Sequence, residues 1–143
     1  MAFKFLRPSK LTAGALSLKL ESTELGDKDK GYVPSYHFNM ILNANVVGKI
    51  RLRIGTEREL LKVGNIGYEV NEDSRGQGLA GKSCKLLLPL AAKHGLKAVW
   101  FTIKPNNIAS QKTVIKIGAI RVETILLSAR NYRRRYKLSL LGS

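Results

Sequence analysis

The sequence predicts a single α/β domain on a mixed, mostly antiparallel sheet. Three observations carry this. Ile66–Val70 is a short run of strand-forming residues, followed by a glycine-rich turn and a helix over Leu79–His94. A second apolar strand, Ala98–Ile103, comes next. The helix between these two central strands makes them parallel neighbours, because a parallel pair needs a long crossover. Before this unit, Tyr36–Leu42 and Val46–Ile54 flank Asn43-Ala44-Asn45, which reads as a hairpin. With 143 residues the chain is one domain, 1–143, able to bury a core without staples.

The remaining elements follow in order. Met1–Ala13 has Phe3, Phe5 and Leu6 as an edge strand or a mobile arm. Leu16–Glu21 alternates cleanly and is the first full strand. Ser22–Ser35 is polar and turn-rich, with room for one short helix at most. In the main helix Leu79, Leu86, Leu87, Leu90 and Ala91 form an inward stripe, and His94-Gly95 is its stop. Pro89 removes one backbone bond, so a kink is expected near Lys85–Pro89. Asn107–Ile117 reads as a second helix, and Ile120–Leu127 and Arg134–Leu140 as closing strands. Cys84, Trp100 and Phe101 read as core, and His37 as a half-exposed strand residue.

The glycine-rich turn Arg75–Gly81 carries the chemistry. Three glycines where a helix begins are costly unless the backbone must take positive φ or approach a ligand closely. A helix N-terminus offers unpaired N–H groups and positive potential, so a phosphate suits it. Two motifs fit. Gly76–Ser83, GQGLAGKS, satisfies the P-loop pattern, but that site also needs a strand ending in an acidic Mg²⁺ ligand. Ala98–Ile103 instead ends in Lys104-Pro105, and Glu123 is the only carboxylate after Asp73, so no metal site is expected. Arg75–Ala80, RGQGLA, satisfies R-x-x-G-x-A, and Lys104–Ser110 followed by Gly118-Ala119 resembles a P-x-N-x-A-S … K-x-G-F segment.

In this order the two motifs resemble the GCN5-related N-acetyltransferase (GNAT) superfamily, nearest its ribosomal-protein acetyltransferase-like branch, over about Gly31–Leu140. The resemblance implies the GNAT fold, with its two central strands splayed, and transfer of an acetyl group from acetyl-CoA to a small-molecule or peptide amine. Under it, the backbone of Gly76, Gln77, Gly78, Leu79 and Ala80 cradles the pyrophosphate, flanked by Arg75 and within reach of Lys82. Backbone groups of Val70 and Asn71 pair with the pantetheine arm, and an N–H there stabilises the oxyanion. Asn107 bonds the pantetheine, caps the second helix, or both.

The same resemblance offers catalytic groups. Many GNAT members place a tyrosine where this chain has Val114, and Ser110 matches the serine used instead in the ribosomal-protein branch. Its hydroxyl serves the leaving thiolate, or merely bonds an earlier turn. Glu69 and Glu123 are the candidate bases; Glu123, alone among many cations, suits an ion pair better. Water with no dedicated base is the third reading. Family members usually carry two helices between the first and second strands. Here that side is either open or completed by another subunit, as in a homodimer.

Charge adds a field. Residues 1–71 hold 11 basic and 7 acidic residues, and residues 72–143 hold 14 and 3. The half with the cradle thus attracts a polyanionic ligand. Arg130, Arg133, Arg134 and Arg135, interleaved with Tyr132 and Tyr136, also read as an RNA or ribosome-binding patch. This leaves two alternatives to an enzyme: a basic RNA-associated module, or a GNAT fold with weak or lost catalysis. One cysteine, no signal peptide and no membrane-length apolar run point to a soluble cytoplasmic protein.

Overall fold

The computed structural model describes residues 2–140, so both ends of the expected 1–143 domain lie outside the described residues. The elements are β1 (Thr12–Ala13), β2 (Leu16–Glu24), β3 (Ser35–Leu42), β4 (Asn45–Arg53), β5 (Ile66–Val70), α1 (Leu79–Lys93), β6 (Ala98–Ile103), α2 (Ile108–Lys116), β7 (Ile120–Ser128) and β8 (Asn131–Ser139). Only a single 3-10 turn, Lys28–Lys30, lies between β2 and β3. Among the described residues no helix is long and apolar enough to cross a membrane.

The strands form two sheets, ordered β1-β2-β3-β4-β5 and β6-β8-β7, and every ladder is antiparallel. The fold class is as expected; the detail of one continuous sheet with a parallel central ladder is not. β5 and β6 are tied at the entry to β5, where Gly64 and Phe101 form an isolated antiparallel bridge. Asn65 N–H donates to the Trp100 carbonyl at 2.8 Å. The splay begins immediately after this tie. Gly64 makes it possible: its φ is +76°, and a Cβ there would lie 2.5 Å from the Trp100 carbonyl oxygen.

Period-two alternation builds the core. Tyr36, Phe38 and Met40 of β3 face inward, level with Leu52, Ile50 and Gly48 of β4. α1 covers this face with Leu79, Cys84, Leu87, Leu90 and Ala91, while Leu86 is only partly buried. The helix runs through Pro89 to Lys93 and stops at His94, with Gly95 left-handed at φ +83°. The opposite face of the large sheet carries no helix. Its residues are polar and paired: Asn39 donates to Glu21 at 2.7 Å, and Arg51 lies 3.7 Å from Glu69. A sheet with one solvated face needs such a surface.

The N-terminal arm is neither strand nor loose. Phe3 stacks on His94 with centroids 5.0 Å apart, Phe5 meets Tyr36 edge-on, and Leu6 N–H donates to the Tyr36 hydroxyl. Tyr36 Oη lies 2.6 Å from His94 Nε2. A neutral His94 protonated on Nδ1 accepts the Tyr36 proton at Nε2, while the phenol oxygen accepts from Leu6. Burial pushes the His94 pKa below its ordinary value. In such a case the unfolded chain takes the proton more readily. Stability from this contact is therefore complete above about pH 6.5 and is lost as the pH falls through that value. Melting temperature should drop on acidification through this window, and His94→Gln should flatten the dependence; an unchanged profile in that variant would refute the assignment.

The β3–β4 hairpin turns on Asn43 and Ala44, both left-handed at φ 51° and 66°. That is the two-residue geometry that favours Asn-Gly. Ala44→Gly should therefore stabilise the domain by about 0.5–1 kcal/mol in denaturant titration, since the residue no longer strains. Destabilisation would show that the turn differs.

Candidate active site

A cleft of about 1210 Å³ opens where β5, the loop after it, and the first turns of α1 and α2 converge. α1 starts at Leu79 because Gly78 is left-handed at φ 72°, and Gly76 likewise at φ 84°. A Cβ at either position would meet nothing within 4 Å, so backbone shape demands these glycines and the surface outside them is free. Gly78 gives no side-chain cap, and the first turn of α1 has no acidic residue. Its amides and the positive end of the macrodipole are therefore available to an anion. Arg75 and Lys82 line the same cleft, and so do Lys85 and Lys116, which the sequence pattern did not single out.

Hydrogen bonding along β5 decides what faces the gap. Asn71 spends its N–H on the Val47 carbonyl, its side-chain amide on Val46, and its carbonyl on Ser74 N–H. Alternation along the antiparallel β4–β5 ladder then turns the N–H groups of Tyr68 and Val70 away from β4. Of the two backbone candidates, Val70 is the one that keeps an N–H for a ligand in the gap. Its carbonyl accepts from Arg75 Nε at 3.0 Å, which pins the glycine-rich loop to the end of β5.

On the far wall, Asn107 Oδ1 accepts from Ser110 N–H at 3.1 Å and caps α2. Its NH₂ has no hydrogen-bond partner among the described residues, so capping and ligand contact are compatible. Ser110 Oγ lies 2.6 Å from Tyr68 Oη. Both residues line the cleft. A backbone cradle, four cations, a free strand N–H and a hydroxyl pair thus share one groove.

A family model described as an acetyltransferase (GNAT) domain matches residues 4–120. The chain belongs to this GNAT family. Among solved structures, it is similar to RimL, a ribosomal L7/L12 alpha-N-protein acetyltransferase in complex with coenzyme A (16% identity, TM-score 0.64). It is also similar to a putative ribosomal-protein-serine acetyltransferase from Vibrio cholerae (17%, 0.59) and to ribosomal-protein-S5-alanine acetyltransferase from Vibrio fischeri (14%, 0.61). These alignments cover 80%, 78% and 76% of this chain and 66%, 67% and 63% of those proteins. The chain thus spans about two thirds of their lengths, and at such identities the likeness is one of fold. Comparison with curated protein sequences finds no match.

Within this GNAT domain the expected catalytic residues part company. Glu69 lines the cleft from β5, but its side chain is on the opposite face from Tyr68, 80% exposed and 3.7 Å from Arg51. Glu123, on β7, does not line the cleft: it is paired with Arg135, which also meets Glu57 Oε1 at 3.2 Å. Val114 is fully buried. Burial pushes the Cys84 thiol up to about 12, which suits an inert core residue. Among the described residues no group of three or more His, Cys, Asp or Glu side chains is placed to hold a metal ion.

The basic patch needs correction. Arg135 is fully buried, its guanidinium 4.1 Å above the Trp100 ring, so it reaches no nucleic acid. Arg134 is half-buried and donates to Gln111 at 2.8 Å. Neighbouring arginines on a strand point to opposite faces, and here both faces are covered. Of the four arginines Arg130 is exposed, while Arg133 is half-buried like Arg134 and donates to Asn131 and to the Tyr132 carbonyl.

Gly78→Val tests the cradle. A branched residue at this left-handed position should cost about 1–2 kcal/mol of stability and weaken coenzyme A binding at least about tenfold in calorimetry. Binding at the original strength would place the anion elsewhere.

Proposed function

We propose that the protein is an acetyl-CoA-dependent N-acetyltransferase in which the amine attacks the thioester directly, in a ternary complex. The observation that carries this is the cleft itself: a free helix N-terminus with left-handed glycines at one end, and a hydroxyl pair between β5 and α2 at the other. The residues fit the cofactor. First-turn amides and the loop from Gly76 to Ala80 would hold the pyrophosphate, with Arg75 and Lys82 supplying charge. Val70 N–H and Asn107 would hold the pantetheine arm. Bound there, acetyl-CoA supplies the activated acyl group.

Chemistry divides across β5. Ser110, on the helix side, donates a hydrogen bond to the departing sulfur. Glu69, on the bare side of the sheet, takes the proton from the incoming amine, and its exposure leaves room for a bulky acceptor. Both the bare face and the ribosomal-protein acetyltransferases among the similar structures favour a peptide or protein amine. The burial of Arg135 and the tether on Arg134 count against the RNA-module reading. The basic C-terminal half acts instead as a field that draws the polyanionic cofactor.

Steady-state release of free thiol from acetyl-CoA, with peptide amines as acceptors, tests the reading. Ser110→Ala should lower kcat about ten- to a hundredfold with little change in coenzyme A affinity, since the bond strengthens as thiolate charge develops. Glu69→Gln should act comparably on kcat. Glu123→Gln should instead lower the melting temperature, because it weakens the partner of a buried guanidinium. Full turnover in both Ser110→Ala and Glu69→Gln would leave catalysis to positioning and backbone alone.

A further inference from the structure

Tyr68 and Ser110 lie 42 residues apart in sequence, yet their hydroxyls meet at 2.6 Å on the wall of the cleft. Two hydroxyls own two protons, and one hydrogen bond between them uses only one. The second proton is left to face whatever occupies the groove. Ser110 Oγ has no other hydrogen-bond partner among the described residues, and the nearby Thr113 hydroxyl spends its proton on the Ala109 carbonyl at 2.9 Å, so Thr113 can touch the Tyr68 hydroxyl without taking the Ser110 proton.

The phenol is the more acidic of the two hydroxyls and is therefore the donor within the pair. Burial pushes the Tyr68 pKa above its ordinary value, with the Ser110 contact opposing, so Tyr68 stays protonated through the neutral range. A serine oxygen that accepts such a bond becomes a better donor through its own O–H.

Building on the acetyl-transfer reading above, we propose that Tyr68 is the positioning residue for the leaving sulfur: it donates to Ser110 Oγ and thereby turns the Ser110 proton into the cleft. In the step it serves, the C–N bond forms and the C–S bond breaks with its electron pair on sulfur. Nitrogen sheds one proton and sulfur gains one, so no oxidant or reductant enters. The tyrosine acts from β5, across the groove, while the helix position that would carry one is the buried Val114.

The test uses coenzyme A, so it needs no knowledge of the acceptor. A donor aimed at sulfur favours the thiolate, so the thiol of bound coenzyme A, followed by thiolate absorbance against pH, should ionise about 1–2 pH units below that of free coenzyme A. Tyr68→Phe keeps the ring, and Ser110→Ala approaches the pair from its other side. Each should return the titration toward the free value, and the double variant should go no further than the single ones. Coenzyme A affinity at neutral pH should stay within about threefold of wild type throughout, because the neutral thiol gains little from the donor. A wild-type titration in Tyr68→Phe, or independent effects that add in the double variant, would overturn the inference. Failure of the wild-type protein to bind coenzyme A would overturn the acetyl-transfer reading, and this inference with it. Binding with an unshifted thiol would overturn this inference and the Ser110 donor it serves, and would leave the assignment of the cofactor cleft standing.

Discussion

The architecture depends on one buried amide. Asn65 is 1% exposed and ties both sheets together. Its Nδ2 donates to the Arg53 carbonyl at 3.0 Å, and its Oδ1 accepts from Trp100 N–H at 2.8 Å. Its own backbone bonds to the same two residues: Arg53 N–H donates to the Asn65 carbonyl at 2.7 Å, and Asn65 N–H donates to Trp100. One residue thus replaces the ladder that β5 and β6 do not form. A buried amide without partners costs about 1–3 kcal/mol, so the clamp is stable only as a complete set. Past Asn65 the strands owe each other nothing, and the gap between them is where the N–H groups of Tyr68 and Val70 point.

Everything placed around the gap follows from this seam. β5 leads into a loop that Arg75 fastens back to the Val70 carbonyl, so the left-handed glycines and the α1 N-terminus are fixed relative to the strand end. α2 enters from the other sheet under an Asn107 cap, bringing Ser110 against Tyr68. Gln111, one residue on, is buried and holds the carbonyls of Lys104 and Pro105, which fixes the approach to α2. The missing helices between β2 and β3 are offset by a polar outer face rather than by an apolar one in need of cover.

Much of this was legible locally. The strand–turn–helix unit, the β3–β4 hairpin and the α2 cap all rest on contacts within a few residues, which composition and spacing encode. The glycine-rich loop was legible because glycine at a helix start destabilises the helix unless the backbone must turn left-handed there. What escaped depends on distant partners. The buried role of Arg135 needs Trp100, Glu57 and Glu123, and no run of five residues reveals that both strand faces are covered there. The Tyr68–Ser110 pair and the Asn65 clamp join segments 42 and 35 residues apart. The split into two sheets escaped for the same reason, since a crossover helix predicts neighbouring strands and not whether they bond.

The central claim is that the N–H groups opening α1 hold the phosphates of coenzyme A. The direct measurement is a titration of the isotopically labelled protein with coenzyme A, following the backbone amide resonances. Shifts should concentrate at Gln77, Gly78, Leu79 and Ala80, with a second set at Val70 on β5, and ATP with Mg²⁺ should not reproduce them. Coenzyme A that leaves the Gln77–Ala80 amides unmoved, or Mg²⁺–ATP that moves them more strongly, would contradict the account.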